Sequence, residues 1–449
     1  MNSITHHAPR ITVIGTGYLG ATHAVCMADL GYHVLAVDTD ANKIRRLGEG
    51  DTPFFEPGLQ PLLRKQLESG RLRFTTDYAE VAEFGDVHFL CVGTPQVSGG
   101  TAADLRYVHE ATATLFPLLD RSCLVVGKST VPTGTARQLA DKLVELAPAG
   151  RDRTAPPRLA WNPEFLREGY AVADSLHPDR IVIGVEHEWS GVQLRALYRP
   201  IISESTPVLV TDLATAELVK VAANAFLATK ISFINAMAEI CEAVGADVNT
   251  LSDALGHDER IGRRFLSAGL GFGGGCLPKD IRAFRARAEE LGIGESLKLL
   301  EQVDAINLRC RDRTVEAARQ ACGGEFTGRR VAVLGCAFKP DSDDVRDSPA
   351  LDVARRIEAA GAELRVHDPV ATESAARAHP ELTYSTSIVD ALRGADVVLH
   401  LTEWAEYRTL DPVQLAGVVN QPQLVDARNA LDAVAWRSAG WHVRQLGRP

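Results

Sequence analysis

Short β-branched runs alternate with stretches of helical period through the first half of the chain. Residues 10–14 form the first run and end in Gly15-Thr16-Gly17-Tyr18-Leu19-Gly20, after which residues 21–30 repeat their apolar positions at helical spacing. A second run, 32–37, closes on Asp38, and 51–70 is first Pro-rich and then amphipathic, predicting an inserted turn and helix. Further strands are predicted at 87–92, 123–127, 159–161, 180–185 and 206–210. Neither Pro nor Gly interrupts residues 213–244; Asp212 stands as the N-cap and Gly245 as the stop, which predicts a helix on the order of 50 Å long. Its apolar residues occupy more than one face (Val219, Ala222, Phe226, Ile231, Ile234, Met237, Cys241), predicting burial all round and a candidate subunit interface.

A further helical stretch is predicted over 281–322, and then the strand pattern restarts. Residues 329–334 end in Gly335, 364–367 close on Asp368, and 395–399 echo 85–89, a weak internal repeat. The expected fold class is therefore α/β: two Rossmann-like doubly wound domains joined by a long central helix. The expected segments are 1–211 for dinucleotide binding, 212–322 for the helical linker with its glycine-rich loop, and 323–449 for a second nucleotide.

Composition narrows the functional classes. With 449 residues, 45% hydrophobic and 24% charged, the chain reads as a globular protein of two or three domains. A net charge of -10 without a basic run argues against nucleic acid as a partner. The first ten residues are polar and no run approaches about 18 uninterrupted apolar residues, so neither a membrane span nor a leader is expected and the expected location is the cytoplasm. Eight cysteines at 26, 91, 123, 241, 276, 310, 322 and 336 include no CxxC pair; no metal site is expected, and most should be buried, reduced thiols.

Six places carry chemistry. The GxGxxG turn (Gly15, Gly17, Tyr18, Leu19, Gly20) with Asp38 18 residues past Gly20 points to a dinucleotide whose ribose hydroxyls meet the acid; a 2'-phosphate would meet a like charge, which favours NAD, with Lys43 tempering that preference. Thr94, Ser129 and Thr130 follow strand ends, where ligands of doubly wound sheets sit, although turn chemistry explains them equally. Glu164 follows the strand at 159–161 and is either an acid/base group or a helix-start charge. Lys220 and Asn224, four apart, share a helix face and suit an oxyanion site or, equally, a solvated stripe. Residues 271–280, Gly-Phe-Gly-Gly-Gly-Cys-Leu-Pro-Lys-Asp, set Cys276 in a loop that is either a covalent site or a tight turn. In the second copy Phe338-Lys339-Pro340-Asp341 replaces the GxGxxG, and Lys339, Arg346 and Arg428 lie near strand ends, suiting an anionic nucleotide.

Taken in order, GTGYLG, Lys128-Ser129-Thr130-Val131-Pro132, Asn162-Pro163-Glu164-Phe165-Leu166, Lys220-Val221-Ala222-Ala223-Asn224, FGGGCLPKD and Ala337-Phe338-Lys339-Pro340 resemble the UDP-glucose/GDP-mannose dehydrogenase family over nearly the whole chain. The resemblance implies oxidation of a sugar primary alcohol, that of UDP-glucose, to a carboxylate with two NAD and one water. It implies Cys276 as nucleophile, Lys220 and Asn224 as oxyanion donors, Glu164 as base for the hydrolytic water, and Asp280 with Thr130 holding that water; whether Asp280 or Lys220 takes the first alcohol proton stays open. It also implies cofactor contacts at Glu168, Lys279 and Arg346 and substrate contacts at Phe165, Leu166, Arg260, Phe265, Gly273, Lys339 and Arg428, with Arg260 reaching a neighbouring subunit of a homodimer or higher homo-oligomer. Gly275 departs from the family, which usually has serine there. GDP-mannose and UDP-N-acetylhexosamines remain alternative substrates. A single-step hydroxyacid-type NAD dehydrogenase has no use for the cysteine, and a redox sensor has none for a second nucleotide site.

Overall fold

The computed structural model describes residues 8–146, 148, 156–203 and 205–448. Two compact units divide the chain between Ala223 and Asn224, inside the helix Leu213–Val244.

The first unit is built on an eight-stranded sheet of order β3-β2-β1-β4-β5-β6-β7-β8. Its strands are β1 (Ile11–Ile14), β2 (Val34–Val37), β3 (Leu72–Thr75), β4 (Val87–Leu90), β5 (Leu124–Gly127), β6 (Arg158–Trp161), β7 (Ile181–Val185) and β8 (Val208–Thr211). The first six run parallel; β7 reverses against β6, pairing Ala160 with Val185, and β8 follows β7. Because both faces are covered, the strands read as continuous apolar runs, and alternate residues feed different cores: Ile11, Val13, Val34, Ala36 and Phe89 one face, Ile14, Leu35, Val37, Leu90 and Val125 the other. The reversal of β7 brings its first residues beside the carboxyl end of β6, so Pro178, Asp179 and Arg180 join the strand-end rim. β3 escaped the sequence reading because Leu-Arg-Phe-Thr is short, half-exposed and charged at its second position.

The second unit carries a six-stranded parallel sheet, β11-β10-β9-β12-β13-β14, around one continuous core. Here β9 is Arg330–Leu334, β10 Glu363–His367, β11 Tyr384–Ser385, β12 Val397–His400, β13 Gln423–Asp426 and β14 His442–Gln445. Its order repeats that of β3-β2-β1-β4-β5-β6. The repeat extends to the turns: Gly15 after β1 and Gly335 after β9 both take positive φ, 89° and 96°, where a Cβ would strike Val92 and Thr402 respectively.

Two helical expectations need correction. The stretch 281–322 is two helices, Leu277–Glu290 and Lys298–Ala321, because Gly292 turns to φ 75° and a 3₁₀ turn follows. The helix Leu213–Val244 has the predicted bounds but is not buried all round: Phe226, Phe233 and Ile240, seven apart, are 66%, 48% and 54% exposed. Among the described residues it is the one helix long and apolar enough to cross a membrane by length and composition. Buried Glu217, Lys220, Asn224, Ser232 and Asn235 interrupt its apolar surface.

Candidate functional site

In the first unit the glycine turn is shaped by close approach. A Cβ on Gly20 would lie 1.8 Å from the Gly15 carbonyl oxygen, so only glycine lets the helix Tyr18–Asp29 start this close to β1. Gly17 precedes that helix without a side-chain cap, leaving its first amides to a ligand. Asp38 closes β2 as expected: Oδ2 accepts from the Thr16 amide (2.8 Å), the Thr16 hydroxyl (3.0 Å) and Lys43 Nζ (2.9 Å), while Oδ1 accepts from the Asp40 amide. Burial pushes this carboxyl upward, but the Thr16 and Asp40 amides and Lys43 outweigh it and hold it below its ordinary value. Tyr18 donates its hydroxyl to Glu56 and accepts from the Gly169 amide at 3.0 Å; burial first, then the Glu56 carboxylate, drive its pKa well up.

The loops after β4, β5 and β6 tie to one another. Thr94 Oγ1 donates to the Thr130 carbonyl (2.7 Å) and Ser129 Oγ to that of Val92 (2.7 Å). Lys128, 8% exposed, donates to Asn162 Oδ1 at 2.9 Å, and burial lowers its pKa. Asn162 is fixed in turn by the Tyr198 hydroxyl and the Val182 carbonyl. Glu164 is an ion-pair partner rather than a helix-start charge: Oε1 lies 2.9 Å from Lys220 Nζ, and Oε2 accepts the Leu166 amide at 2.7 Å. Arg180 stacks over the Phe165 ring at 3.8 Å. A cleft of about 80 Å³ opens here, lined by Lys128, Asn162, Glu164, Phe165, Leu166 and Arg180 among others. Leu19 also lines it, and Glu168 is buried nearby in the chain.

In the second unit each glycine of the cysteine loop meets something a side chain would displace. A Cβ on Gly271 would touch Asn307 Oδ1 (2.3 Å), on Gly273 the Asp347 carbonyl oxygen (2.3 Å), on Gly274 the Phe338 ring (2.7 Å) and on Gly275 the Arg346 guanidinium (2.5 Å). The loop is therefore seated on the strand-end loops of β9 and on the helix Lys298–Ala321. Asn307 completes the seat by exchanging hydrogen bonds with the Phe272 amide (2.7 Å) and carbonyl (2.9 Å). Cys276 ends the loop as the residue before the helix Leu277–Glu290, and it is the exposed thiol; the other seven cysteines are buried. Asp280, one turn on and 2% exposed, accepts from Lys279 Nζ at 2.6 Å and Asn224 Nδ2 at 2.7 Å. Asn224 is thus a buried donor and not part of a solvated stripe, as is Lys220 in its own unit.

The remaining expected contacts are dispersed. Arg428 donates to the carbonyls of Leu401 and Gly271, both at 2.8 Å, and pairs with Glu403 at 3.2 Å, so it ties the cysteine loop to the sheet. Lys339 Nζ lies 5.5 Å from the centre of the Phe338 ring. Arg346 is gripped bidentately by Asp344. Arg260, paired with Asp258, and Phe265, at φ 66°, sit exposed on the turn before the loop.

Three family models match the chain in order: the NAD binding domain of the UDP-glucose/GDP-mannose dehydrogenase family over residues 9–202, its central domain over 214–309, and its UDP binding domain over 332–433. The chain belongs to the UDP-glucose/GDP-mannose dehydrogenase family. Among curated relatives of this family, the UDP-glucose 6-dehydrogenase of Pseudomonas aeruginosa is 40% identical, with 98% of each chain covered. Among solved structures, a UDP-glucose dehydrogenase from the hyperthermophilic archaeon Pyrobaculum islandicum superposes with TM-score 0.88 at 36% identity, covering 98% of this chain and 100% of the other. A UDP-D-ManNAc dehydrogenase from Pyrococcus horikoshii reaches 0.84 at 26% identity, covering 98% and 99%.

As a member of this dehydrogenase family the chain uses NAD, and the first unit fits it: the Gly15–Gly20 cradle that a Cβ would fill, the uncapped helix start and Asp38 at the end of β2 are where a pyrophosphate and ribose require them. The second unit has the same acid, Asp368, and uses it differently. Asp368 accepts the amides of Cys336, Ala337, Val370 and Ala371 and the Trp404 indole N–H, so its oxygens are consumed by its own loops. Sequence reasoning passed over Glu56, Asn162, Glu217 and Asn307. Of these only Asn162 had a signal, its place in the loop after β6; the others act from distant segments.

Proposed function

We propose that the chain is an NAD-dependent UDP-glucose 6-dehydrogenase that carries out the four-electron oxidation of UDP-glucose to UDP-glucuronate through Cys276. The observation that carries the reading is the seat of Cys276: an exposed thiol at a helix start, on a loop whose glycines Gly273 and Gly274 are fitted to a backbone carbonyl and a packed ring, followed by the buried Asp280–Asn224 pair and Lys279. A single-step dehydrogenase needs no such thiol.

The balance is one alcohol, two NAD and one water giving one carboxylate, two NADH and three protons. NAD, when bound, supplies the hydride acceptor for both oxidations. The first oxidation removes the hydroxyl proton, for which Lys220 and Asp280 are the two acceptors in this reading, and yields an aldehyde. An aldehyde has no hydride to give until a nucleophile adds, so Cys276 Sγ attacks the carbonyl carbon to form a thiohemiacetal, its oxygen facing the donors Lys220 and Asn224. The second oxidation leaves a thioester. Glu164 takes a proton from the attacking water, held by Asp280 and Thr130, and the C–S bond breaks to return the thiolate and release the acid. A helix N-terminus favours the anionic sulfur.

The same proposal divides the chain at 1–211, 212–322 and 323–449 and seats the uridine diphosphate on Lys339 and Arg428. Phe165, Leu166, Gly273, Phe265 and a partner-reaching Arg260 meet the sugar nucleotide, and Glu168, Lys279 and Arg346 meet the cofactor. We place the enzyme in the cytoplasm, where free thiols such as its eight cysteines are kept reduced, and assign it a homodimer through the apolar row Phe226, Phe233 and Ile240. The test is NADH formed per UDP-glucose consumed, with and without iodoacetamide. Two NADH, abolished by alkylation, is the expected result; one would point to the single-step reaction. Turnover with GDP-mannose or a UDP-N-acetylhexosamine but not UDP-glucose would move the substrate and keep the chemistry.

A further inference from the structure

Two buried carboxylates outside the expected site make the same unusual contact. Glu217, 2% exposed on the long helix, accepts the Gly134 amide through Oε2 at 2.7 Å and the Ala136 amide through Oε1 at 2.6 Å. Glu56, 5% exposed in the inserted segment, accepts the Gly169 amide through Oε2 at 2.7 Å and the Ala171 amide through Oε1 at 2.7 Å. In both cases the receiving segment is Gly-x-Ala, and the glycine is left-handed, φ 101° at Gly134 and 80° at Gly169. The left-handed glycine turns the first and third amides of the segment toward one point, while the middle amide bonds back to a carbonyl, that of Pro132 in one case and Arg167 in the other, and the two remaining amides form a concave anion site. The chain fills both concavities with its own remote carboxylates.

Each concavity terminates a loop that carries expected site residues. The Gly134 turn ends the loop after β5, whose Thr130 carbonyl receives Thr94 and whose Ser129 holds Val92. The Gly169 turn follows Glu168 directly, and Glu56 also receives the hydroxyl of Tyr18 from the glycine turn itself. Glu217 therefore bears on the loops after β4 and β5, and Glu56 bears on the loop after β6 and the start of the first helix. Helix capping alone would call for a local Ser, Thr, Asp or Asn. Here the acceptor comes from 81 or more positions away in the chain, which links the loop to the frame and not merely to its own helix.

We propose that Glu217 and Glu56 are positioning residues for the NAD site, clamping the strand-end loops at the spacing the dinucleotide requires. The proposal rests on the family reading of the first unit as the NAD site. Glutamine keeps the shape but turns one acceptor into an amide N–H facing a backbone N–H, so the loop must move away. Site geometry displaced by about 1 Å is enough to weaken function by one to two orders of magnitude.

The experiment titrates E217Q and E56Q with NAD and, separately, with UDP, the ligand expected of the second unit. NAD affinity should fall about tenfold or more in each, UDP affinity should stay within about twofold of wild type, and E217D, which keeps the charge, should recover part of the NAD affinity. If E217Q does not fold, E217D and E56Q are read against the same expectation. A merely structural role would lower melting temperature while leaving NAD affinity of the folded, UDP-binding protein unchanged, and that result overturns the proposal. Failure of the wild-type protein itself to bind NAD would overturn the cofactor assignment beneath it.

Discussion

The Arg346 guanidinium occupies the space that a side chain at Gly275 would fill, with its central carbon 2.5 Å from where the Cβ would lie. The same loop meets immovable atoms at its other glycines: the Asp347 carbonyl behind Gly273 and the Phe338 ring behind Gly274, where φ is 83°. A flexible tip can swing aside and a backbone carbonyl or packed ring cannot. Gly275→Ser should therefore change stability by less than about 1 kcal/mol, its consequence appearing as a raised KM for NAD if Arg346 contacts the cofactor. Gly274→Ala should lose about 1–3 kcal/mol and most turnover. Urea midpoints of the two variants, measured side by side, check the contrast.

Cys276→Ser should abolish uronic acid formation, since a hydroxyl is the poorer nucleophile and leaving group. Glu164→Gln removes the proposed base, which Lys220 holds in place at 2.9 Å, so hydrolysis of the proposed thioester should slow by about 10²–10⁴-fold. Intact-mass measurement after a pulse of UDP-glucose and NAD should then show a sugar-nucleotide adduct on Cys276. Normal output from Cys276→Ser would sink the covalent scheme.

Asp38 should set cofactor choice. Its carboxylate already faces Lys43, and a 2'-phosphate would meet its negative charge, so kcat/KM should favour NAD over NADP by about a hundredfold. Asp38→Ser should narrow that ratio through both cofactors. Equal efficiency of the wild-type enzyme with both would remove Asp38 from the ribose site.

The depressed pKa of Asp38 fixes a sign. Its folded value lies below its unfolded one, so its contribution is complete above the ordinary aspartate pKa of about 3.9 and is lost as pH falls through the lower folded value. Asp426 behaves alike: burial pushes it up, but the His400 ring bonded to it at 2.7 Å leads the contacts that pull it below normal. Urea midpoints should therefore fall steeply below pH about 4, and Asp38→Asn should show a shallower slope there. An unchanged slope would mean the Thr16 and Lys43 contacts do not persist in solution.

Phe226→Glu should dissociate the proposed homodimer. It is two-thirds exposed in a row that recurs every seven residues, and a charge at its head leaves the row unable to bury itself against a second copy. Sedimentation of the wild type and variant decides it; a wild-type monomer would remove the homodimer.

Much of this was legible because it is local. The GxGxxG turn, Asp38 and the bounds of the helix Leu213–Val244 each depend on residues close together in the chain, and Cys276 stood out by its glycines. The losses have physical causes. Leu72–Thr75 and Tyr384–Ser385 are too short and half-exposed to show a period, and the break at Gly292 lies inside a stretch whose apolar spacing stays helical on both sides of it. Phe226 shows the limit of periodicity, since an apolar face bound for the core and one left bare have the same spacing. Glu56 and Glu217 could not be found at all, because their partners are amides, which every sequence has everywhere.

Asp368 has a consequence for how the two halves share a cell with their ligands. On the proposed reading the enzyme consumes two oxidant molecules per sugar and works best where oxidant is abundant, and a duplicated dinucleotide fold invites that oxidant into the wrong half. Asp38 takes two of its four donors from side chains that can turn away, the Thr16 hydroxyl and Lys43, whereas Asp368 is held by the amides of Cys336, Ala337, Val370 and Ala371 and by the buried Trp404 indole, so the second half is the poorer place for a ribose. Excess cofactor should thus fail to compete with the sugar nucleotide for the second half, and NAD should not displace UDP in a binding titration.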